Sequence, residues 1–211
     1  LALIVSGGHS QLVLFNGHGD YRLLGQTRDD AVGEAFDKVA KILGLPYPGG
    51  PSIDLAARAG NPDAVALPIA KLDNPYEFSF SGLKTAVLRA AQQLAGKQYD
   101  FPSHQLANHL SEAQKADIAA SFQKTAVKTL VNSLKTAAEQ YKPATVVVAG
   151  GVAANAELRT QLQSLSTPVI LPDIKLCTDN AAMIAALGYF RHRSGLVGDP
   201  YNLPPLPGLS M

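Results

Sequence analysis

Apolar and polar positions alternate in three short runs within the first 26 residues. An alternation with a period of two residues is typical of β-strands. We predict strands at Leu1–Val5, Gln11–Phe15 and Tyr21–Gln26, joined by turns at Ser6–Ser10 and Asn16–Asp20. Because both connections are short, the three strands should form an antiparallel meander.

From residue 29 onward the apolar positions recur every three to four residues, which is typical of amphipathic helices. In the first of these helices Val32 and Phe36 share the apolar face, and Asp29 or Asp30 is the predicted cap. A rigid loop rich in proline and glycine is predicted at 45–52. Further helices are predicted near residues 53–59, 81–94, 112–141, 155 onward and 178–193.

A second type of strand is predicted late in the chain. Thr145–Ala149 (TVVVA) is an unbroken apolar run, as in the buried strands of parallel sheets, and Pro168–Pro172 is a further candidate strand. A meander followed by helices and a parallel strand predicts a mixed α/β domain with flanking helices. This order of elements is that of one lobe of an actin/Hsp70/sugar-kinase-like (ASKHA) ATPase fold, in which the first hairpin turn cradles a phosphate.

Composition narrows the class of protein. Of the 211 residues, 46% are apolar and 17% are charged, which is typical of globular proteins, and no apolar run reaches the roughly 18 residues of a membrane span. A net charge of +1 predicts no general affinity for polyanions, so nucleic-acid binding would need a local patch or a partner. The single cysteine, Cys177, excludes an internal disulfide and fits a reducing compartment. Since Leu1 lies inside an apparent strand, we expect a fragment of a longer protein.

The turn Ser6-Gly7-Gly8-His9-Ser10 is the first candidate site. Glycines allow backbone N–H groups to approach an anion closely, and serine hydroxyls add donors, so the turn is a candidate phosphate loop. The alternative is that the two glycines only permit a tight turn.

The run Gly150-Gly151, between a predicted strand and a predicted helix, is the second candidate site. Backbone at the carboxyl edge of a sheet is a common position for a nucleotide. Asn155, at the start of the next helix, could bind a ribose or a base, or could be a plain N-cap, and the two roles can coexist.

Two carboxylates are further candidates. Asp179 precedes the last predicted helix and either complements the helix dipole or binds a metal; one carboxylate cannot hold a metal alone, so the other ligands would lie outside this chain. Asp37 shares a polar helix face with Glu34 and Lys41, which is usually just solvated. Its position before the loop that contains Gly49-Gly50 makes a ligand contact possible.

Five motifs, in matching order and spacing, resemble those of one family. The chain is similar to the TsaD family, the bacterial-type tRNA N6-adenosine threonylcarbamoyltransferases formerly called O-sialoglycoprotein endopeptidases, from Leu1 to about Gly195. The motifs are VSGGHSQL (5–12), DDAVGEAFDKVAKILGLPYPGGPSI (29–53), FSFSGLKTAV (78–87), VVAGGVAANAELR (147–159) and CTDNAAMIA (177–185).

The resemblance implies transfer of a threonylcarbamoyl group from threonylcarbamoyl-AMP to N6 of adenosine 37 in tRNAs that read codons beginning with A. It implies an adenylate-type ligand (threonylcarbamoyl-AMP, AMP or ATP) and one divalent metal ion, iron or zinc. Asp179 would be one metal ligand, and two histidines of an H-x-x-x-H helix upstream of Leu1 would be the others. His9 is a candidate base; a structural role, or indirect binding of metal or phosphate, is left equally open. The implied substrate-binding residues are Ile4, Val5, Ser6, Gly7, Gly8, Asp37, Gly50 and Asn155.

The resemblance also implies partners and a domain organisation. The expected partners are tRNA, a TsaB-like non-catalytic paralogue and a TsaE-like ATPase, with no membrane association and a cytoplasmic location. We expect residues 1–175 to be the second ASKHA-like lobe, 176–195 a helix that carries Asp179 and packs toward a first lobe, and 196–211 an extended tail. Without the first lobe, this chain alone should be inactive. Two alternatives are a metal-dependent glycoprotein endopeptidase and a non-catalytic scaffold paralogue of the same fold; the latter should lack the CTDN and AGGVAAN motifs, which are present here.

Overall fold

A five-stranded mixed sheet organises the chain, in a computed structural model that describes residues 1–196 and 198. The strand order is β3-β2-β1-β4-β5, and the pairs β1–β2 and β2–β3 are antiparallel whereas β1–β4 and β4–β5 are parallel. The predicted meander and the parallel strand after it are therefore confirmed. The strands are β1 (Ala2–Val5), β2 (Ser10–Gly17), β3 (Asp20–Gln26), β4 (Val146–Ala149) and β5 (Val169–Ile170).

Helices fill the long segment between β3 and β4 and follow the later strands. They are α1 (Val32–Ile42), α2 (Gly49–Ala57), α3 (Ser81–Leu94), α4 (Glu112–Tyr141), α5 (Ala156–Leu162) and α6 (Ala181–Arg193), with 3₁₀ turns at Ser103–His109, Gly151–Ala154 and Ile174–Leu176. The longest, α4, begins at a capping box: Gln114 N donates to Ser111 Oγ, and Ser111 N donates to Gln114 Oε1.

Packing between helices builds the core behind the sheet. Helix α1 packs against α2 and α3, and α4 packs against α2, α3 and α5. Phe36 of α1 meets Phe122 of α4 edge-to-face, with ring centroids 4.9 Å apart. The apolar faces that the sequence predicted for α1 and α4 therefore both lie in the core, which positions the N-terminal end of α1 beside the sheet edge.

The cap predicted for α1 is wrong. The N-cap residue is Ala31, and the side chain that satisfies the first turn comes from β2: Val32 N donates to Ser10 Oγ across 2.9 Å. Asp29 accepts hydrogen bonds from Phe80 N at 2.8 Å and Ser81 N at 3.3 Å, and so caps α3 instead. The segment that follows β3 lies beside the residues that precede α3, so the Asp29 carboxylate reaches the start of α3. A prediction from neighbouring residues alone could not anticipate this, because the two segments are far apart in sequence.

Helix α2 begins four residues earlier than predicted. Its first residue is Gly49, within the segment predicted to be a loop, and the extended Pro48 is its N-cap. Two glycines in a first helical turn oppose local propensity. A tertiary contact compensates, because Gly49 N donates to Asp37 Oδ1 across 2.7 Å.

Helix α6 contributes little to the core. Its residues are all exposed apart from the half-buried Phe190, whose ring stacks on His18 at a centroid distance of 3.6 Å. The helix begins at Ala181, three residues later than predicted, because Asn180 caps it by accepting from Met183 N at 3.1 Å. The extended segment predicted at Tyr201–Pro207 lies outside the described residues. Within the described ranges, none of the helices is long and apolar enough to cross a membrane.

Candidate functional site

The carboxyl ends of β1 and β4 meet at one edge of the sheet. These strands are parallel neighbours in which Leu3 pairs with Val148 and Ile4 with Ala149. The Ser6–Ser10 turn follows β1, and Gly150-Gly151 follows β4, so the two glycine-rich segments predicted as sites lie side by side. Such an edge between crossover connections is a common position for ligands in α/β sheets.

The hairpin turn is closed by its own serine. Ser6 N donates to the His9 carbonyl at 2.8 Å, and Ser6 Oγ accepts from Gly8 N at 3.3 Å and from His9 N at 3.0 Å. No described atom lies within 4 Å of where a Cβ would stand on Gly7 or Gly8, and both are exposed. The backbone of the turn is thus accessible to a ligand, and Ser6 Oγ keeps its own proton to donate.

A glycine that sequence reasoning missed fixes this turn to α1. Gly33 N donates to the Ser6 carbonyl at 3.2 Å. A Cβ on Gly33 would stand 2.6 Å from that oxygen and 2.8 Å from Gly7 N, so this helix position must lack a side chain. The signal in the sequence was a glycine in the first turn of an otherwise regular helix, where its low helix propensity points to a packing or functional reason.

Gly150 brings the second glycine segment against the end of β1. Its φ of +96° favours glycine, and a Cβ there would lie 2.2 Å from the Val5 carbonyl oxygen. Gly151, by contrast, has no described atom within 4 Å of its Cβ position. Of the two glycines, Gly150 is therefore the one required by packing.

Asn155 is the N-cap of α5, as predicted. Its Oδ1 accepts from Leu158 N at 2.9 Å, and its Nδ2 donates to Oε1 of Gln123, a buried residue of α4, also at 2.9 Å. The amide is half-buried and held by two elements, so its orientation is fixed. A second Nδ2 proton and a second Oδ1 lone pair are left for a ligand.

Asp37 and Gly50 are brought together by the contact between α1 and α2. Asp37 Oδ1 accepts from Gly49 N, and the half-buried Gly50 is the next residue of α2. Asp37 also lines a cavity of about 490 Å³ between the outer face of α1 and the loop at 44–49, together with Lys41 and Tyr47. Of these two predicted site residues, Asp37 therefore lines the cavity, whereas Gly50 follows the lining residue Gly49 and is not itself part of the lining.

Asp179 is exposed and directly precedes the cap of α6. Its carboxylate makes no hydrogen bond or ion pair with any residue of 1–196 or 198. In the same described ranges no three His, Cys, Asp or Glu side chains cluster so as to hold a metal ion. One exposed carboxylate does not fit a divalent cation by itself, because such ions take several ligands.

Arg159, a second residue missed by sequence reasoning, ties the Gly150 segment to the one that carries Asp179. Its Nε donates to the Ala153 carbonyl at 2.8 Å, and its Nη2 to the Pro172 carbonyl at 2.7 Å. The same Nη2 lies 3.6 Å from Sγ of the buried Cys177. His9 has no comparable anchoring: it is exposed, and its ring forms no hydrogen bond within the part of the chain that the structure describes.

Comparison with known proteins shows which family the chain belongs to. A model of the family TsaD, tRNA N6-adenosine threonylcarbamoyltransferase, matches residues 1–186. Curated relatives of that same name include proteins of Symbiobacterium thermophilum (47% identical, over 100% of this chain and 59% of the relative), Gloeobacter violaceus (50%, over 92% and 54%) and Dehalococcoides mccartyi (49%, over 100% and 60%). The chain thus spans a little over half the length of these relatives. It belongs to the TsaD family of tRNA N6-adenosine threonylcarbamoyltransferases.

Proposed function

We propose that the protein carrying this chain transfers a threonylcarbamoyl group from threonylcarbamoyl-AMP to N6 of adenosine 37 in tRNAs that read codons beginning with A. The observation that carries the proposal is the convergence at one sheet edge of the Ser6–Ser10 turn, Gly150 and the doubly held Asn155. The name shared by the relatives supports the same reaction.

We further propose that residues 1–175 form the second lobe of an ASKHA fold, with 176–195 packing toward a first lobe. The support is the sheet: an antiparallel meander continued by parallel strands, with the first hairpin turn at the edge that holds the site. An ATPase-like lobe uses that turn for phosphate, and here Gly7 and Gly8 are open to solvent.

In the proposed reaction the N6 amine attacks the carbamoyl carbon, the bond from that carbon to the phosphate oxygen breaks, and AMP leaves. AMP is a good leaving group, so the protein contributes mainly positioning and stabilisation of developing charge. The N–H of Gly7, which forms no hydrogen bond within the described residues, and the Ser6 hydroxyl would hold the phosphate, with β1 residues Ile4 and Val5 forming the floor. Asn155 would bind the nucleoside, together with Asp37 and Gly50. His9, exposed on the turn, is the candidate that accepts the N6 proton.

A metal and protein partners belong to the proposal for the whole protein. Asp179 and two histidines upstream of Leu1 would hold iron or zinc, and the bound ion would act as a Lewis acid and template. Within the part of the chain that the structure describes, Asp179 is the one ligand supplied to this site. A TsaB-like paralogue and a TsaE-like ATPase are the proposed partners, and the cytoplasm is the proposed location. The support for the partners is family membership; for the location it is also the single, buried, unbridged Cys177.

The test is a transfer assay with the full-length protein, threonylcarbamoyl-AMP and unmodified tRNA, read by mass spectrometry of the nucleosides. We expect threonylcarbamoyladenosine at position 37 and a strongly reduced yield in an Asn155→Ala variant. Gly82→Ala is the matched control, because no described atom lies within 4 Å of that Cβ position. A folded protein that binds AMP but leaves every tRNA unmodified would overturn the proposal.

A further inference from the structure

The side chain of Tyr47 stands almost entirely in solvent. At 85% exposure it is the most exposed large hydrophobic side chain of the described residues. Tyrosine rings ordinarily bury most of their apolar surface, and an exposed ring beside a cavity is a common recognition element. We infer that Tyr47 is a stacking platform for the purine base of a nucleotide bound at this site, an inference that rests on the function proposed above.

The loop that carries Tyr47 is held in place while the ring is not. The Ser52 hydroxyl lies 2.7 Å from the Pro46 carbonyl oxygen and 3.2 Å from that of Pro48, the two residues that flank the tyrosine. On the other side of Pro48, Gly49 N is bound to Asp37. A ring presented by a fixed backbone loses little conformational entropy when a ligand binds, which favours stacking.

The cavity next to the ring has the size and chemistry of a nucleotide site. Its volume of about 490 Å³ lies within the range of small-molecule pockets. Asp37 supplies a carboxylate whose Oδ2 forms no hydrogen bond within the described residues, so it can accept from a ribose hydroxyl or an exocyclic amine. The aromatic face of Tyr47 offers a surface on which the base can stack, since every base has a π-face.

The same purine chemistry is offered by two ligands, the adenylate and the adenosine of the tRNA. Two binding measurements separate them in the full-length protein: AMP by calorimetry and unmodified tRNA by filter binding. Tyr47→Leu removes the ring, and Tyr47→Phe keeps it. Tyr99→Leu is the matched control, because Tyr99 is also exposed, at 68%, but lies over Arg89 in a different loop.

We expect Tyr47→Leu to weaken binding of AMP or of tRNA by roughly tenfold to a hundredfold, the range of one base–aromatic stack. Tyr47→Phe and Tyr99→Leu should stay within about twofold of wild type, and the melting temperature should not change. Ribose 5-phosphate, which lacks a base, should bind Tyr47→Leu and wild type equally. The ligand whose affinity falls identifies the source of the base.

Three results would overturn the inference: unchanged affinity for both ligands in Tyr47→Leu, an equal loss in Tyr47→Phe, or an equal loss for ribose 5-phosphate. These outcomes are independent of the transfer assay. If the wild-type protein modifies tRNA and Tyr47→Leu binds AMP and tRNA normally, only the stacking role of Tyr47 is contradicted. If AMP affinity depends on the Tyr47 ring but the wild-type protein modifies no tRNA, only the proposed function is contradicted.

Discussion

The amide of Gly49 donates a hydrogen bond to the Asp37 carboxylate across 2.7 Å, which fastens the first turn of α2 to the outer face of α1. The approach is so close that a Cβ on Gly49 would stand 2.5 Å from the Asp37 Cα. One carboxylate therefore satisfies a helix N-terminus and also lines the cavity below Tyr47.

Replacing Asp37 should separate these two roles. Asp37→Ala removes a charge-assisted hydrogen bond, so we expect the free energy of unfolding to fall by about 1.5–3 kcal/mol. Asp37→Asn keeps an acceptor for Gly49 N and should lose less stability. If Asp37 also binds the nucleoside, AMP affinity drops in both variants. Urea unfolding and calorimetry measure the two effects, and normal AMP affinity in Asp37→Asn would contradict a role of the charge in binding.

Gly150→Ala should be one of the most damaging single-methyl changes in the chain. The φ of +96° is unfavourable for alanine, and the new Cβ would meet the Val5 carbonyl oxygen at 2.2 Å. We expect a loss of more than about 2 kcal/mol of stability, from backbone strain and overpacking together. Gly151→Ala is the neighbouring control, since that position is open. Equal melting temperatures for the two variants would show that the segment shifts freely.

Asn155 caps α5 and also donates a hydrogen bond to Gln123. Substitutions can therefore be chosen that remove one of these contacts or both. Asn155→Ala removes the cap and should cost about 1 kcal/mol of stability. Asn155→Ser retains a capping oxygen but loses the N–H that reaches Gln123. We expect AMP affinity to fall in both variants by more than stability does. If losses in affinity and stability stay proportional across both, Asn155 is a cap only.

Asp30 should govern part of the acid stability. A hydrogen bond from Lys38, at 2.7 Å, lowers the pKa of Asp30 from its usual 3.8; burial opposes this shift, and Lys84 adds to it. The carboxyl is more acidic in the folded than in the unfolded state. Its contribution is therefore complete above the unfolded pKa of about 4 and is lost as pH falls through the folded pKa. Urea unfolding between pH 2 and 7 should show a shallower acid limb in Asp30→Asn. An identical pH profile would mean that the pair is solvent-screened.

Asp179→Ala tests the metal site in the full-length protein. We expect metal content and transfer activity to be lost while the melting temperature changes little, because Asp179 is exposed and the cap of α6 is Asn180. The exposed Asp173, in the segment before it, provides the matched control as Asp173→Ala. Elemental analysis decides the matter. Stoichiometric metal in Asp179→Ala would remove Asp179 from the ligand set, and stoichiometric metal in this chain alone would show that the upstream histidines are not required.

The parts of the fold that sequence reasoning predicted correctly are those set by local pattern. The meander, α3 and α4 follow from apolar periodicity, and Asn155 is a cap because capping depends on the few residues that follow it. Tertiary contacts decided the rest. The start of α2 at Gly49 depends on Asp37 in another helix, and the need for glycine at position 33 arises from the hairpin turn.

The donors of Arg159 are directed to segments that only the folded chain brings together. Its role could therefore not be read from periodicity. The roles of His9 and Asp179 stay predictions, because they depend on ligands and residues outside the described chain.

The capping of α3 by Asp29 has a consequence for the order of folding. The carboxylate that accepts from Phe80 N comes from 51 residues upstream, and Arg28 N donates to the Phe78 carbonyl beside it. The first turn of α3 is therefore completed only after a long loop has closed, a slow event compared with local helix growth. Amide hydrogens at this end of α3 should gain protection from exchange together with β3 rather than with the rest of their own helix. On this basis we expect the meander and the start of α3 to open as one cooperative unit, although 51 residues separate Asp29 from Phe80 along the chain.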